Sequence, residues 1–304
     1  MHCEKANKTF LGVLSAMIIG GCIAHYATSA EKNTALQNSS SFERGKNLAF
    51  NICGQCHYDE SLKHFTGKLM DLPGFMGKIY SANLTHSLSY GILNKYTDAE
   101  IFYLLKTGVA RDGRYVPYMI RPNLADDDIN DLLVYLRSHD TAVSPKDTVP
   151  GKTHVNLLGK LATKVAGKPL PYNKGVLRPK EADAVSYGKY LVDNLACYHC
   201  HSKSVLGLDY LDPEKSKGYM QGGFKFKIKK GKNIYAANLT PDKETGIGNY
   251  TKENFHKALV KGIKPGGDSL RLPMPKFKHL TTKQSDALFA YLQSLKPVKN
   301  KVKR

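Results

Sequence analysis

The pentapeptide Cys53-Gly-Gln-Cys56-His57 recurs 144 residues later as Cys197-Tyr-His-Cys200-His201. Two cysteines three positions apart, followed at once by histidine, form the attachment sequence of a c-type haem. Each thiol can add to a vinyl group of the porphyrin, and the adjacent imidazole is then held where it can ligate iron. A lone CxxC would also suit a redox dithiol or half of a zinc site. A zinc site built from Cys53, Cys56, Cys197 and Cys200 is conceivable, but it leaves both histidines and the downstream methionines without a role. The duplicated motif therefore predicts two covalently attached haem c groups, with His57 and His201 as proximal ligands.

An electron-shuttling haem needs a sixth ligand. The candidates are Met119, in Tyr115-Val-Pro117-Tyr-Met119, and Met274, in Leu272-Pro273-Met274-Pro275, which lie 62 and 73 residues beyond His57 and His201. A thioether is a soft, weak ligand, and methionine opposite histidine raises the haem potential. Proline restricts the backbone of a loop that must present sulfur to a fixed iron. The competing reading of methionine is plain core filling, which accounts for Met17, Met70, Met76 and Met220. His64, His139, His256 and His279 offer no matched pair for bis-histidine ligation and read as surface or loop residues.

The motifs belong to a longer repeat. Gly77-Lys-Ile-Tyr-Ser-Ala-Asn-Leu-Thr85 answers Gly231-Lys-Asn-Ile-Tyr-Ala-Ala-Asn-Leu-Thr240, and Leu133-Val-Tyr135-Leu136 answers Phe289-Ala-Tyr291-Leu292. A unit of roughly 100 residues used twice reads as two domains in tandem. The boundaries expected are 41–143 for the first and 183–298 for the second, joined by a proline-rich ordered connector over 144–182, with a basic tail at 299–304. Helices are predicted over Ser41–Asn51 and Ala182–Leu195, leading into the two motifs. Gly45 and Gly188 fall inside them, eight and nine residues before the first cysteine, where a close helix crossing would explain a helix-weakening residue. Thr97-Asp-Ala-Glu100 and Thr281-Thr-Lys-Gln284 read as capping boxes. The first starts a helix over Asp98–Leu105 with Ile101, Leu104 and Leu105 inward; the second precedes Ala287, Leu288, Tyr291 and Leu292. A further helix is expected over Asp126–Ser138, with Ile129, Leu132, Leu133 and Leu136 on its apolar face. In the second unit the alternating Phe224-Lys-Phe226-Lys-Ile228 fits a short strand.

The two units differ in charge. Residues 41–143 hold 11 Lys and Arg against 12 Asp and Glu, whereas 183–304 hold 23 against 10. So basic a chain invites a nucleic-acid reading, but it carries no helix-turn-helix, zinc-finger or RNA-recognition pattern, and no nucleic acid is expected as partner. The basic second unit would instead suit an acidic redox partner, steered electrostatically. Phe10–Ala27 is a largely apolar run behind Lys5 and Lys8, so residues 1–30 are expected to act as an export signal or a membrane or lipid anchor. Ile19-Gly-Gly-Cys22 resembles a lipoprotein cleavage box, making Cys22 a candidate lipid attachment site, with 31–40 as a polar tether. Each reading places the domains outside the cytoplasm, at the periplasm or the outer face of a bacterial membrane. Only Cys3 and Cys22 lie outside the haem motifs, so no structural disulfide framework is needed.

With both motifs and the repeat in view, the chain resembles the two-domain bacterial cytochromes c of class I fold. Ala237-Asn-Leu-Thr-Pro-Asp-Lys-Glu-Thr-Gly-Ile-Gly-Asn-Tyr-Thr251 is similar to haem-domain repeats in cytochrome subunits of membrane-bound alcohol and gluconate dehydrogenases, which usually carry three such domains. The resemblance implies an all-α fold of tandem duplicated class I haem domains, with His57 and His201 opposite Met119 and Met274. It implies a non-catalytic electron carrier between a protein donor and a protein acceptor. The alternative is a di-haem peroxidase or another small-molecule haem oxidoreductase, which needs an iron with an open sixth position.

Overall fold

The structure, a computed structural model, describes residues 39–70, 76–149, 151–159, 161, 168–227 and 233–303. The apolar leader, with Cys3 and Cys22, lies outside the described residues, as does most of the amphipathic stretch 155–165. Among the described residues no helix is long and apolar enough to cross a membrane.

The fold is predominantly helical, and each unit repeats one plan. In the first, helix α1 (Ser40–Leu48) runs through a π-helical turn (Ala49–Cys53) into α2 (Gly54–His57). It is followed by α3 (Asp98–Thr107) and α4 (Asp126–Leu136). In the second unit α5 (Ala184–Asn194), α6 (Cys197–His201), α7 (Lys252–Lys261) and α8 (Thr282–Ser294) take the same places. The expectation of an all-α fold needs correcting. Strand β1 (Gly77–Lys78) pairs antiparallel with β2 (His154–Val155), and β3 (Lys225–Lys227) with β4 (Asn233–Tyr235). The second ladder contains the alternating Phe-Lys segment; Ile228 lies outside the described residues.

Local chemistry sets the helix ends. Ser39 caps α1, its hydroxyl accepting from Phe42 N at 3.1 Å, so the helix starts one residue before the expected boundary. Asp183 caps α5 in the same way. Both capping boxes form: Thr97 N donates to the Glu100 carboxylate at 2.8 Å and Thr281 N to Gln284 Oε1 at 3.0 Å, each answered by the reciprocal bond. Each box satisfies two amides that would otherwise lack partners. Helix α3 ends at Gly108 and α7 at Gly262, both in the left-handed region that terminates helices. Helix α4 ends at Leu136, two residues short of its expected end.

Packing within each unit rests on one helix crossing. A Cβ added at Gly45 would stand 1.9 Å from the Asp131 carbonyl oxygen of α4, and one at Gly188 would stand 1.9 Å from the Ala287 carbonyl oxygen of α8. Glycine is there because the backbones touch. The crossing buries Ile129, Leu132, Leu133, Tyr135 and Leu136 in the first unit, and Ala287, Leu288, Tyr291 and Leu292 in the second. These residues form one continuous apolar core running through both units.

The units are joined by specific contacts. Phe50 stacks on His279 at a centroid distance of 4.1 Å, and Asn47 donates to the His279 carbonyl while accepting from Gln284. Tyr190 of α5 donates to buried Asp128 of α4, which also pairs with Arg178 of the connector at 2.5 Å. The connector lies along the first unit through Gly77 with Val155, Leu170 N to the Thr107 carbonyl and Asp126 N to the Val176 carbonyl; Glu181 reaches Lys283 of α8.

Candidate haem-attachment centres

Each CxxCH motif occupies a short helical turn at the end of the helix that carries the crossing glycine. The routes into the two turns differ. In the first unit the π-helical turn absorbs an extra residue and keeps the helix continuous; in the second, Ala196 breaks it in the left-handed region (φ 58°). A single-turn π-bulge at a functional site is a familiar device for placing side chains out of helical register.

The four motif cysteines are free thiols. Burial pushes Cys53 and Cys197 up to about 12 and raises Cys56 and Cys200 as well. A redox-active CxxC instead depresses a cysteine to expose thiolate, so the environment does not favour dithiol chemistry. Among the described residues no group of three or more His, Cys, Asp or Glu side chains could hold a metal ion. The four cysteines therefore do not gather into the shared zinc site that the sequence left conceivable.

The histidines carry the geometry. His57 Nδ1 donates to the Ala82 carbonyl at 2.8 Å, and His201 Nδ1 donates to the Ala237 carbonyl at 2.8 Å. A carbonyl only accepts, so each bond places the proton on Nδ1 and leaves the Nε2 lone pair free. Burial lowers the basicity of both rings and favours the neutral imidazole. A buried neutral histidine with its orientation fixed by a backbone acceptor is the form in which imidazole binds metal. The residues present thus fit covalent haem c: two neutral thiols and one oriented nitrogen on a single turn, twice over.

The repeated Ala-Asn-Leu-Thr segment supplies those carbonyls, a role that reading the repeat did not assign. Asn83 and Asn238 are buried, and each locks its own loop. Asn83 Oδ1 accepts from Thr85 N at 2.8 Å, and Asn238 Oδ1 from Thr240 N at 3.0 Å. Their amide groups donate onward to the Lys146 and Val298 carbonyls at 3.0 and 2.7 Å. The chain beyond each unit's last helix thus returns to clamp the loop that orients the histidine. The expected basic tail takes part: Asn300 N donates to Thr245, and its side chain donates to the Gln221 carbonyl.

Met119 ends a 3₁₀ turn (Pro117–Met119) and Met274 a similar turn, with backbone amides bonded to the Val116 and Arg271 carbonyls, each at 3.1 Å. Both side chains are half-buried against the core, as are Cys53 and Cys197. Met76 and Met220 are buried core residues. The remaining histidines have local roles: His256 bonds Ser285 at 2.7 Å, His64 bonds the Leu62 carbonyl, and His279 packs between the units.

No family model matches the chain. It is 26% identical over 285 residues to the fructose dehydrogenase cytochrome subunit of Gluconobacter japonicus, an alignment covering 88% of this chain and 55% of the relative. It is 35% identical over 129 residues to the cytochrome c subunit of the quinone alcohol dehydrogenase of Gluconobacter oxydans (strain 621H), covering 41% of this chain and 24% of the relative. Over 109 residues it is 34% identical to the gluconate 2-dehydrogenase cytochrome c subunit of Pantoea cypripedii, covering 35% and 22%. The chain thus spans about half or less of the length of these curated relatives. With its helical fold and two CxxCH motifs, it is a cytochrome-c-like protein related to dehydrogenase cytochrome c subunits.

Proposed function

We propose that the protein is a di-haem c-type cytochrome of two class I domains, passing electrons between protein redox partners. The observation that carries this reading is the duplicated centre, in which each CxxCH histidine donates Nδ1–H to an Ala-Asn-Leu-Thr carbonyl and keeps Nε2 free. Bound haem c supplies a one-electron ferric/ferrous couple. The chain does the rest. Cys53, Cys56, Cys197 and Cys200 anchor the cofactor, and His57 and His201 present one ligand each. Met119 and Met274, on matching turns, close the sixth positions, which keeps small molecules off the metal and sets a high potential.

The donor and acceptor are proteins, and relatives named as dehydrogenase cytochrome subunits make a dehydrogenase the natural source of electrons. The excess of Lys and Arg in the second unit suits an acidic partner there. We place the domains outside the cytoplasm, exported by the leader and held at the membrane, with Cys22 as the lipid attachment point. The test is a ferric and ferrous spectrum with carbon monoxide titration and a peroxide turnover assay. Two low-spin haems indifferent to both ligands are expected; a high-spin haem that consumes peroxide would make the protein an enzyme.

A further inference from the structure

Arg121 lies two residues beyond Met119, and no motif or repeat draws attention to it. Its amide donates to the Leu105 carbonyl at 2.6 Å and its Nη1 to the Ile120 carbonyl at 2.6 Å. Its Nε is shut off from solvent and has no hydrogen-bond partner. The guanidinium lies within electrostatic reach of the Cys53 and Cys56 thiols of its own unit. From the second unit it feels Tyr198, inside the other attachment motif, and Tyr210, and it acts in turn on His199 of that motif. No carboxylate is among these neighbours. Tyr198, His199 and Tyr210 pack edge to face at 4.5 and 5.4 Å, and Asn123 of the first unit donates to the Tyr210 carbonyl. The two attachment turns therefore approach one another, with a single uncompensated cation between them.

A buried charge without a counter-charge costs several kcal/mol, so its retention at this place calls for a role. We propose that Arg121 is a shared positioning charge between the two haem sites, holding both potentials up together. This rests on the di-haem reading above. A fixed positive charge favours the ferrous over the ferric state of any iron near it, and shelter from water keeps its field from being screened. Because Arg121 reaches both motifs, it acts on both couples at once. The propionates that haem brings are anions able to share the field without cancelling it for both sites.

The experiment is a potentiometric titration, followed by visible spectra, of the full holoprotein and of Arg121→Gln, Arg121→Met and Arg121→Lys. Haem content and the low-spin spectrum of the unaltered protein test the di-haem reading separately. In both neutral variants each haem's ferrous/ferric equilibrium is expected to shift about tenfold toward ferric, about 59 mV per one-electron couple. Arg121→Lys keeps the charge and is expected to stay close to the unaltered protein at both haems. A shift confined to one haem, or absent from both, would overturn the proposal. So would an equal shift in Arg121→Lys, which would mark a packing effect. Failure of both neutral variants to fold with two haems would assign the arginine a structural role and overturn it likewise.

Discussion

A cysteine or histidine is legible in sequence when a short spacing fixes its geometry. The CxxCH turn is such a case, since five consecutive residues define it. The groups that orient it were harder to see because they arrive from far along the chain. Ala82 stands 25 residues from His57 and Ala237 stands 36 from His201, and they contribute main-chain oxygens that no side-chain pattern marks. The repeat of Ala-Asn-Leu-Thr was the signal, and its physical meaning lies in the two buried asparagines. Asn238→Ala would strip partners from Thr240 N and from the Val298 carbonyl in a sheltered place. It is expected to destabilise the protein by about 1–3 kcal/mol in denaturant titrations. It should also broaden the ligand-field signature of one haem while leaving the other unchanged. Asp193 gives a prediction in pH. Burial, opposed by Lys189 at 2.9 Å, pushes its carboxyl up to about 6, against 3.8 for the ordinary group. The folded state therefore binds this proton more readily than the unfolded chain. The destabilising contribution is complete above pH 6 and fades as pH falls toward 4, a swing of about 3 kcal/mol. Asp193→Asn is expected to flatten that part of the stability profile, measured by urea midpoints across pH 4 to 8.

At the level of single elements, helices were readable where local rules govern them. Thr97 and Thr281 start helices because the capping box closes over four residues, and the apolar stripe of α4 follows from its 3.6-residue period. The interruption before Cys53 and the break at Ala196 were not readable, since each reflects how a turn must be aimed at a cofactor rather than the propensity of the residues in it. The same holds for β1 and β2. Two-residue strands acquire meaning only from a partner far along the chain, and Gly77 finds its partner at Val155. Gly45 and Gly188 could be suspected from their shared placement. Their reason became visible only with the opposite backbone in place, where an added Cβ would fall at 1.9 Å. Gly45→Ala and Gly188→Ala are each expected to cost about 3 kcal/mol or more through forced separation of the crossing helices. Melting curves check this, and an unchanged midpoint for either would contradict the close crossing.

Across the whole molecule, duplication and charge asymmetry were plain from the sequence, whereas the way the units meet was not. Their seam is built from single residues with no repeated counterpart: Phe50 on His279, Tyr190 with Asp128, Asn194 with Asn123. Duplication predicts similarity within units and says nothing about the surface between them. The seam makes the protein one body with two attachment turns facing a common interior. The measurement that tests this account most directly is the mass of the intact chain after expression in a host able to mature c-type cytochromes. The account predicts a covalent mass gain of two haems, falling to one haem in Cys53→Ala/Cys56→Ala and to one in Cys197→Ala/Cys200→Ala. A chain recovered at its bare polypeptide mass under those conditions, or unchanged by either double substitution, would contradict it.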